Sequence, residues 1–254
     1  MFNTMIGKYI PLNSKIHKMN SISKIVCLLL FLVLLFIDDI ILLGLLTILT
    51  LIMMILSKIP LKLYLKSISG LKILFIFLIL IALIFHDSWY IMITSIVKII
   101  LGVLYTMILT YTTSKSEINY GLERVFSPLS ILRIPVKQMS LSLTLALRFV
   151  PTIFEQTEKI MKSQASRGID FRHTNIKGKV IAISSMMVPM FILSSKRADV
   201  VADAMEVRLY NQDTKRTNYR FNKWHSIDDN MVLVHIALLV YFVVRVIVLW
   251  SVIL

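Results

Sequence analysis

LSLTLALRFVPTIFEQTEKIMKSQASRG (residues 141–168) and VIAISSMMVPMFILSSKRADVVADAMEVRLY (residues 180–210) carry the reading on which the fold turns. In the first, Ile153, Phe154, Thr157, Ile160, Met161 and Ala165 follow the three- and four-residue spacing of one helical face, while Glu155, Glu158, Lys159 and Lys162 take the other. Arg167-Gly168 ends it, since glycine readily adopts the left-handed C-terminal cap. The second pattern runs on as Ala198, Val201, Ala202, Met205 and Leu209, with Asp199, Asp203 and Glu206 on a wetter face. Its small residues let another helix approach closely. Both patterns finish on an arginine, in Ala165-Ser166-Arg167-Gly168 and Glu206-Val207-Arg208-Leu209.

The surrounding chain places these helices at a membrane. Of 254 residues, 57% are hydrophobic, and the formal charge is +14. A soluble domain of this length cannot hide that much apolar surface, whereas lipid accepts it. Cys27, the single cysteine, lies in an apolar run and reads as a small buried hydrophobe, which excludes an intrachain disulfide or a thiolate cluster. Residues 1–24 spread Lys8, Lys15, Lys18 and Lys24 over a mostly polar stretch, unlike a signal peptide.

Ile25 to Ile37 and Ile40 to Leu56 are apolar blocks parted by Asp38 and Asp39. A single helix through both would bury two aspartates at the midplane, at about 3 kcal/mol each. A hairpin turning at the aspartates costs less. The first block is shorter than the roughly 20 residues needed to span, so its helix must start near Ile22 or the membrane must thin. Pro60 and Gly70 interrupt a lysine-rich return, Leu71 to Phe85 is a third span, and Trp89 to Thr113 a fourth, joined by an outer turn at His86 to Ser88. Met231 to Leu254 is the fifth. Lys98 and Arg245 fall inside spans and read as snorkelling or packing residues. With the N-terminus inside, 26 of the 28 lysines and arginines lie in inner segments, and the outer turns hold Asp38, Asp39 and Asp87. The positive-inside rule therefore puts the N-terminus in the cytoplasm and the C-terminus outside the cell membrane.

Between the fourth span and the last lies an inner-face region. Gly121 to Phe126 and Pro128 to Ile134 are short amphipathic pieces, Lys137 to Val150 suits a helix hugging the interface, and Pro151 marks a helix start or kink. Val180 to Ser194 is apolar but short, contains Pro189 and has basic residues on both flanks. It reads as a shallow or broken helix that stays on the inner side. Asn211 to Asp229 is a basic surface loop.

An arginine at a helix C-terminus is favoured by the helix dipole and presents five donors in a rigid fork. Such an end can enter a partner's groove and meet carboxylates or carbonyls, or it can cap the helix and meet only water and headgroups. The residues alone leave both open. No phosphate-binding GxxxxGK loop occurs, and His17, His86, His173, His225 and His235 are scattered without zinc-ligand spacing. A self-contained secondary transporter would want ionisable groups near the midplane, and a membrane enzyme a convergent acid, base or metal cluster. Anionic lipid explains the basic inner surface without nucleic acid.

Gly7-Lys8-Tyr9-Ile10-Pro11-Leu12-Asn13-Ser14 with His17 and Lys24, Leu145-Ala146-Leu147-Arg148-Phe149-Val150-Pro151, Gln164-Ala165-Ser166-Arg167-Gly168 and Ala204-Met205-Glu206-Val207-Arg208-Leu209-Tyr210 together resemble the transmembrane coupling component of energy-coupling factor (ECF) type ABC transporters, the vitamin and cobalt uptake family. The resemblance runs over nearly the whole chain. It implies an all-α integral membrane protein with about five transmembrane helices and a cytoplasmic coupling domain of long crossed amphipathic helices. Residues 1–113 would hold the first four spans, 114–230 the coupling domain and 231–254 the final span. The chain would be a non-catalytic scaffold, binding no cofactor itself and working with two ABC-type ATPase subunits, which carry ATP and Mg, and one small membrane substrate-capture subunit. Ser166, Arg167 and Gly168 would form one ATPase-coupling motif and Val207, Arg208 and Leu209 the other, with Ala165, Glu206, Arg148 and Pro151 supporting the coupling helices. Leu209 departs from the family, where glycine is usual, which bears on the cap's backbone more than on the arginine.

Overall fold

The computed structural model describes residues 9–84, 89–132, 134–169, 175–211 and 223–253. Gly7, Lys8, the expected outer turn with His86 and Asp87, His173 and residues 212–222 of the basic loop lie outside the described residues. All described regular structure is helical. The chain divides into two compact units, residues 1–136 with 220–254, and residues 137–219.

The first unit is built around the aspartate turn. Helix α1 covers Ser21–Leu35 and α2 covers Ile40–Ser57, with the Asp39 carboxylate accepting from the Ile41 N–H at 3.0 Å as the N-cap of α2. The same aspartates meet the two basic residues that fall inside spans. Lys98 on α5 (Trp89–Thr112) pairs with Asp38, and Arg245 on α9 (Ser226–Ile253) pairs with Asp39. These cations are therefore ion-paired at the α1–α2 turn, which gives them a partner that snorkelling did not supply.

The lysine-rich return is not a simple loop. Pro60 opens a short helix α3 (Leu61–Ser69), Gly70 closes it, and α4 (Lys72–Ile84) follows at a 50° bend. Phe31 and Tyr105 stack at 4.2 Å in the core of this unit. The Tyr105 hydroxyl donates to Nε2 of His235 at 2.9 Å, while His235 Nδ1 donates to the Met231 carbonyl at 2.8 Å, so the buried ring is a fully bonded packing histidine.

The N-terminal segment is tied to the ends of these helices near Tyr111 and Thr112. Ile10 N–H donates to the Tyr111 carbonyl, His17 Nε2 donates to the Ile10 carbonyl at 2.9 Å, and the Ser14 hydroxyl meets His17 Nδ1 at 2.7 Å. The buried Lys24 ammonium donates to the Thr112 carbonyl at 3.1 Å and the Thr113 hydroxyl at 3.2 Å. Asp228, fully buried at the start of α9, accepts from the Asn20 N–H and the His225 N–H, each at 2.8 Å, and from the Ser23 hydroxyl. Helix α6 (Lys115–Phe126) begins with a capping box between Ser114 and Glu117 and packs on α1, and a 3-10 turn (Ser127–Leu132) follows it.

The second unit is a helical hairpin. Helix α7 runs unbroken over Val136–Ser166 and α8 over Ile176–Val207, so Pro151 and Pro189 both lie inside continuous helices. The sequence predicts a start or kink at the first and a shallow or broken helix around the second; there is neither a start at Pro151 nor a break at Pro189. A proline deletes one backbone hydrogen bond, and helices of 31 and 32 residues retain the bonds on both sides of it.

By length and composition four helices suffice to cross a membrane, namely Ile40–Ser57, Trp89–Thr112, Ile176–Val207 and residues 226–247 of α9; counting the bent α3–α4 pair as one span makes five. The chain is a multi-pass membrane protein, all-α, with four to five helices long and apolar enough to span and further amphipathic helices.

Candidate functional site

The two arginine ends share one backbone geometry. After α7, Gly168 has φ +86°, its N–H donates to the Ala165 carbonyl at 3.0 Å, and the Ile169 N–H donates to the Gln164 carbonyl at 3.1 Å. After α8, Leu209 has φ +53°, its N–H donates to the Glu206 carbonyl at 2.8 Å, and the Tyr210 N–H donates to the Met205 carbonyl at 2.9 Å. Each is the left-handed cap in which two successive N–H groups reach back to the last free carbonyls of the helix. Arg167 and Arg208 occupy the same position, one residue before the left-handed residue. Leucine thus adopts the conformation that glycine takes at the other end, and the cap survives the departure seen in the sequence.

The environments differ around this shared geometry. Ala165, Ser166, Arg167 and Gly168 are exposed, and the Ser166 hydroxyl donates back to the Lys162 carbonyl at 3.1 Å. At the second end Arg208 stands between Val207 and Leu209, which are 83% and 88% exposed. Glu206 is exposed as well. On the outer face of α7, Lys162 lies 2.8 Å from Glu158 and, through that hydrogen bond, holds the carboxyl below the ordinary carboxylate range.

Gln164 and Phe149 orient the hairpin. Gln164 Nε2 donates to the Ser185 carbonyl at 2.9 Å, and Phe149 lies 5.5 Å beneath the Arg197 guanidinium. Residues near the end of α7 thus meet residues early in α8, so the two helices run antiparallel. Their arginine ends point out of opposite ends of the unit, separated by on the order of 35–40 Å of helix at 1.5 Å per residue. Arg148 and Pro151 flank Phe149 on α7 and are exposed. The structure brings neither arginine to the other.

Between α7 and α8 lies an open groove of about 430 Å³, walled by Leu145, Phe149, Ile153, Val201 and Met205, with Arg197 among the lining residues. Arg197 Nη1 is buried there without a hydrogen-bond partner among the described residues. In the sequence Arg197 reads only as the basic flank of an apolar block. Its place opposite Phe149 depends on a contact across 48 residues that neither periodicity nor spacing encodes. Among the described residues no three histidine, cysteine, aspartate or glutamate side chains are arranged to hold a metal.

Comparison with known proteins agrees with this architecture. The family model described as cobalt transport protein (CbiQ) matches residues 13–219, which include both arginine ends. The chain is 33% identical to the energy-coupling factor transporter transmembrane protein EcfT of Bacillus subtilis (strain 168), over 95% of this chain and 98% of that protein. It is 32% identical to the protein of the same name from Lactococcus lactis subsp. cremoris, over 99% of both chains, and 32% identical to that of Exiguobacterium sibiricum, over 92% and 95%. The chain belongs to this family, and is a non-catalytic transmembrane scaffold subunit of an ECF-type ABC importer.

Proposed function

We propose that Arg167 and Arg208 are the two points at which this subunit engages a pair of ABC-type ATPases, and that α7 and α8 carry the resulting motion to a small membrane subunit that captures the substrate. The observation that carries the reading is the repeated cap: one backbone geometry, each time with an exposed arginine, at the two opposite ends of one hairpin. Ser166 and Gly168, and Val207 and Leu209, border the two docking arginines, while Ala165, Glu206, Arg148 and Pro151 keep the helices in register for them.

Guanidinium forks at helix C-termini suit carboxylates and exposed carbonyls in a groove. When ATP draws the two ATPases together, ends held on separate subunits must change their separation. The hairpin, in this reading, converts that change into a tilt. In this reading residues 114–230 form the inner-face coupling part, the N-terminus is cytoplasmic, the C-terminus lies outside the cell membrane, and α8 dips into the membrane from the inner side. ATP and Mg belong to the partner subunits.

The test is co-purification of the ATPases with this chain after mild extraction from the membrane. Arg167→Glu and Arg208→Glu should each weaken association at least tenfold, as expected for losing one arm of a desolvated charge pair, and the double variant should lose it. All three should still insert. Unchanged ATPase association in the double variant would overturn the reading.

A further inference from the structure

Arg197 sits in the α7–α8 groove with one guanidinium nitrogen buried and unpartnered, and no carboxylate within 4.0 Å among the described residues. The ring of Phe149 at 5.5 Å attracts the cation but offers no acceptor for its N–H groups. Arg197 as a whole is half-buried, but a buried N–H left unpaired is costly, and an anion seated in the groove would supply the missing acceptor. We propose that the groove binds one anionic phospholipid, with the phosphate on Arg197 and an acyl chain along Leu145, Phe149, Ile153 and Val201. This rests on the chain being embedded in a membrane and is independent of the docking role of Arg167 and Arg208.

Three observations favour a lipid. First, the groove's volume of about 430 Å³ falls in the range of roughly 300–1,000 Å³ typical of small-ligand sites. Its walls are apolar except for the Ser142 and Ser194 hydroxyls and the one cation, which matches an amphiphile with a single charged head. Second, Lys196 and Arg197 directly follow the apolar block of α8, where Val188, Phe191, Ile192 and Leu193 are exposed, so the cation lies where an apolar helix meets headgroups. Third, a peptide loop bearing a carboxylate would also press backbone N–H and C=O groups against walls with two hydroxyls to meet them. A phosphate, by contrast, takes two parallel N–H donors from a guanidinium and brings no backbone.

Native mass spectrometry of the full purified chain, titrated with phosphatidylglycerol or phosphatidylcholine of identical acyl chains, tests this directly. Wild type should retain one phosphatidylglycerol about five- to tenfold more tightly than phosphatidylcholine, the contribution of one basic residue at an anionic surface. Arg197→Gln should erase the preference, Arg197→Lys should keep part of it, and Ala202→Leu, which narrows the groove, should weaken both lipids. If Arg197→Gln does not fold, Arg197→Lys and Ala202→Leu carry the test, and wild-type retention in both overturns the proposal. Equal preference in wild type and a folded Arg197→Gln also overturns it. So does displacement of the lipid by inorganic phosphate at matched concentration. A photo-crosslinker at Ser194 in the assembled transporter should label lipid; labelling of a partner protein instead would assign Arg197 to a protein carboxylate and overturn the lipid site.

Discussion

Leu209 holds a conformation that L-residues with a side-chain branch adopt at a cost of about 1–2 kcal/mol. Its exposed side chain gains nothing within the chain in return. Leu209→Gly should therefore raise stability by about 0.5–1 kcal/mol, after allowance for glycine's greater freedom in the unfolded chain. Gly168→Ala should do the opposite by a similar amount; a Cβ there meets nothing within 4 Å, so the loss is backbone strain alone. Thermal unfolding in detergent reads both, and a stabilised Gly168→Ala would show that the cap is not held as described. His17 provides a pH handle on the N-terminal segment. Burial pushes its imidazole below the ordinary 6.5, so the folded turn prefers the neutral ring that donates to Ile10 and accepts from Ser14. Stability from this turn is then complete above pH 6.5 and declines as pH falls below it, because the unfolded ring takes up the proton first. Proteolysis of the N-terminal segment should accelerate between pH 7.5 and 5.5 in wild type and respond less in His17→Gln.

At the scale of elements, the close approach of α6 to α1 depends on Gly121. A Cβ there would lie 2.6 Å from Ile25 Cδ1 and 3.1 Å from the Ser21 carbonyl oxygen. The side chain can move but the backbone cannot move cheaply, so Gly121→Val should cost about 1–3 kcal/mol and release α6 first. Hydrogen exchange over residues 115–126 measures this, and unchanged protection would refute it. Local chemistry made much of the fold legible: the aspartate turn, Pro60 and Gly70 as helix boundaries, and the Gly168 cap follow from residues whose preferences act within one turn of helix, whereas the cap at Leu209 forms against its residue's own preference. The continuity of α7 and α8 through Pro151 and Pro189 was not legible, because proline is a strong local signal and the helix on either side outweighs it only in sum. The α3–α4 bend was partly visible in Gly70, but α3 itself was hidden among lysines. In the candidate site, the arginine ends could be read from pattern and resemblance. Arg197 and the antiparallel course of the hairpin could not, since they rest on side chains that meet only after folding.

For the whole molecule, long-range charge pairs take over. Asp39 and Arg245 are 206 positions apart, and their pairing ties the turn of the first hairpin to the last helix. Removing one partner leaves the other charge unsatisfied, so Asp39→Asn or Arg245→Met alone should cost about 3 kcal/mol, and the double change much less than the sum. Additive losses in a double-mutant cycle would exclude the coupling.

Asp228 spans a similar distance, and its position bears on how the chain is made. The Asn20 N–H and the Ser23 hydroxyl find their acceptor 208 and 205 residues later. At about 5–20 residues per second, that acceptor emerges roughly 10–40 s after the helix it completes. Throughout translation, the first helix waits with its N-terminal end unfinished. A ribosome that stalls before residue 228 leaves a product in which Asn20 already caps the opening helix, while the Asn20 N–H and the Ser23 hydroxyl still lack their carboxylate.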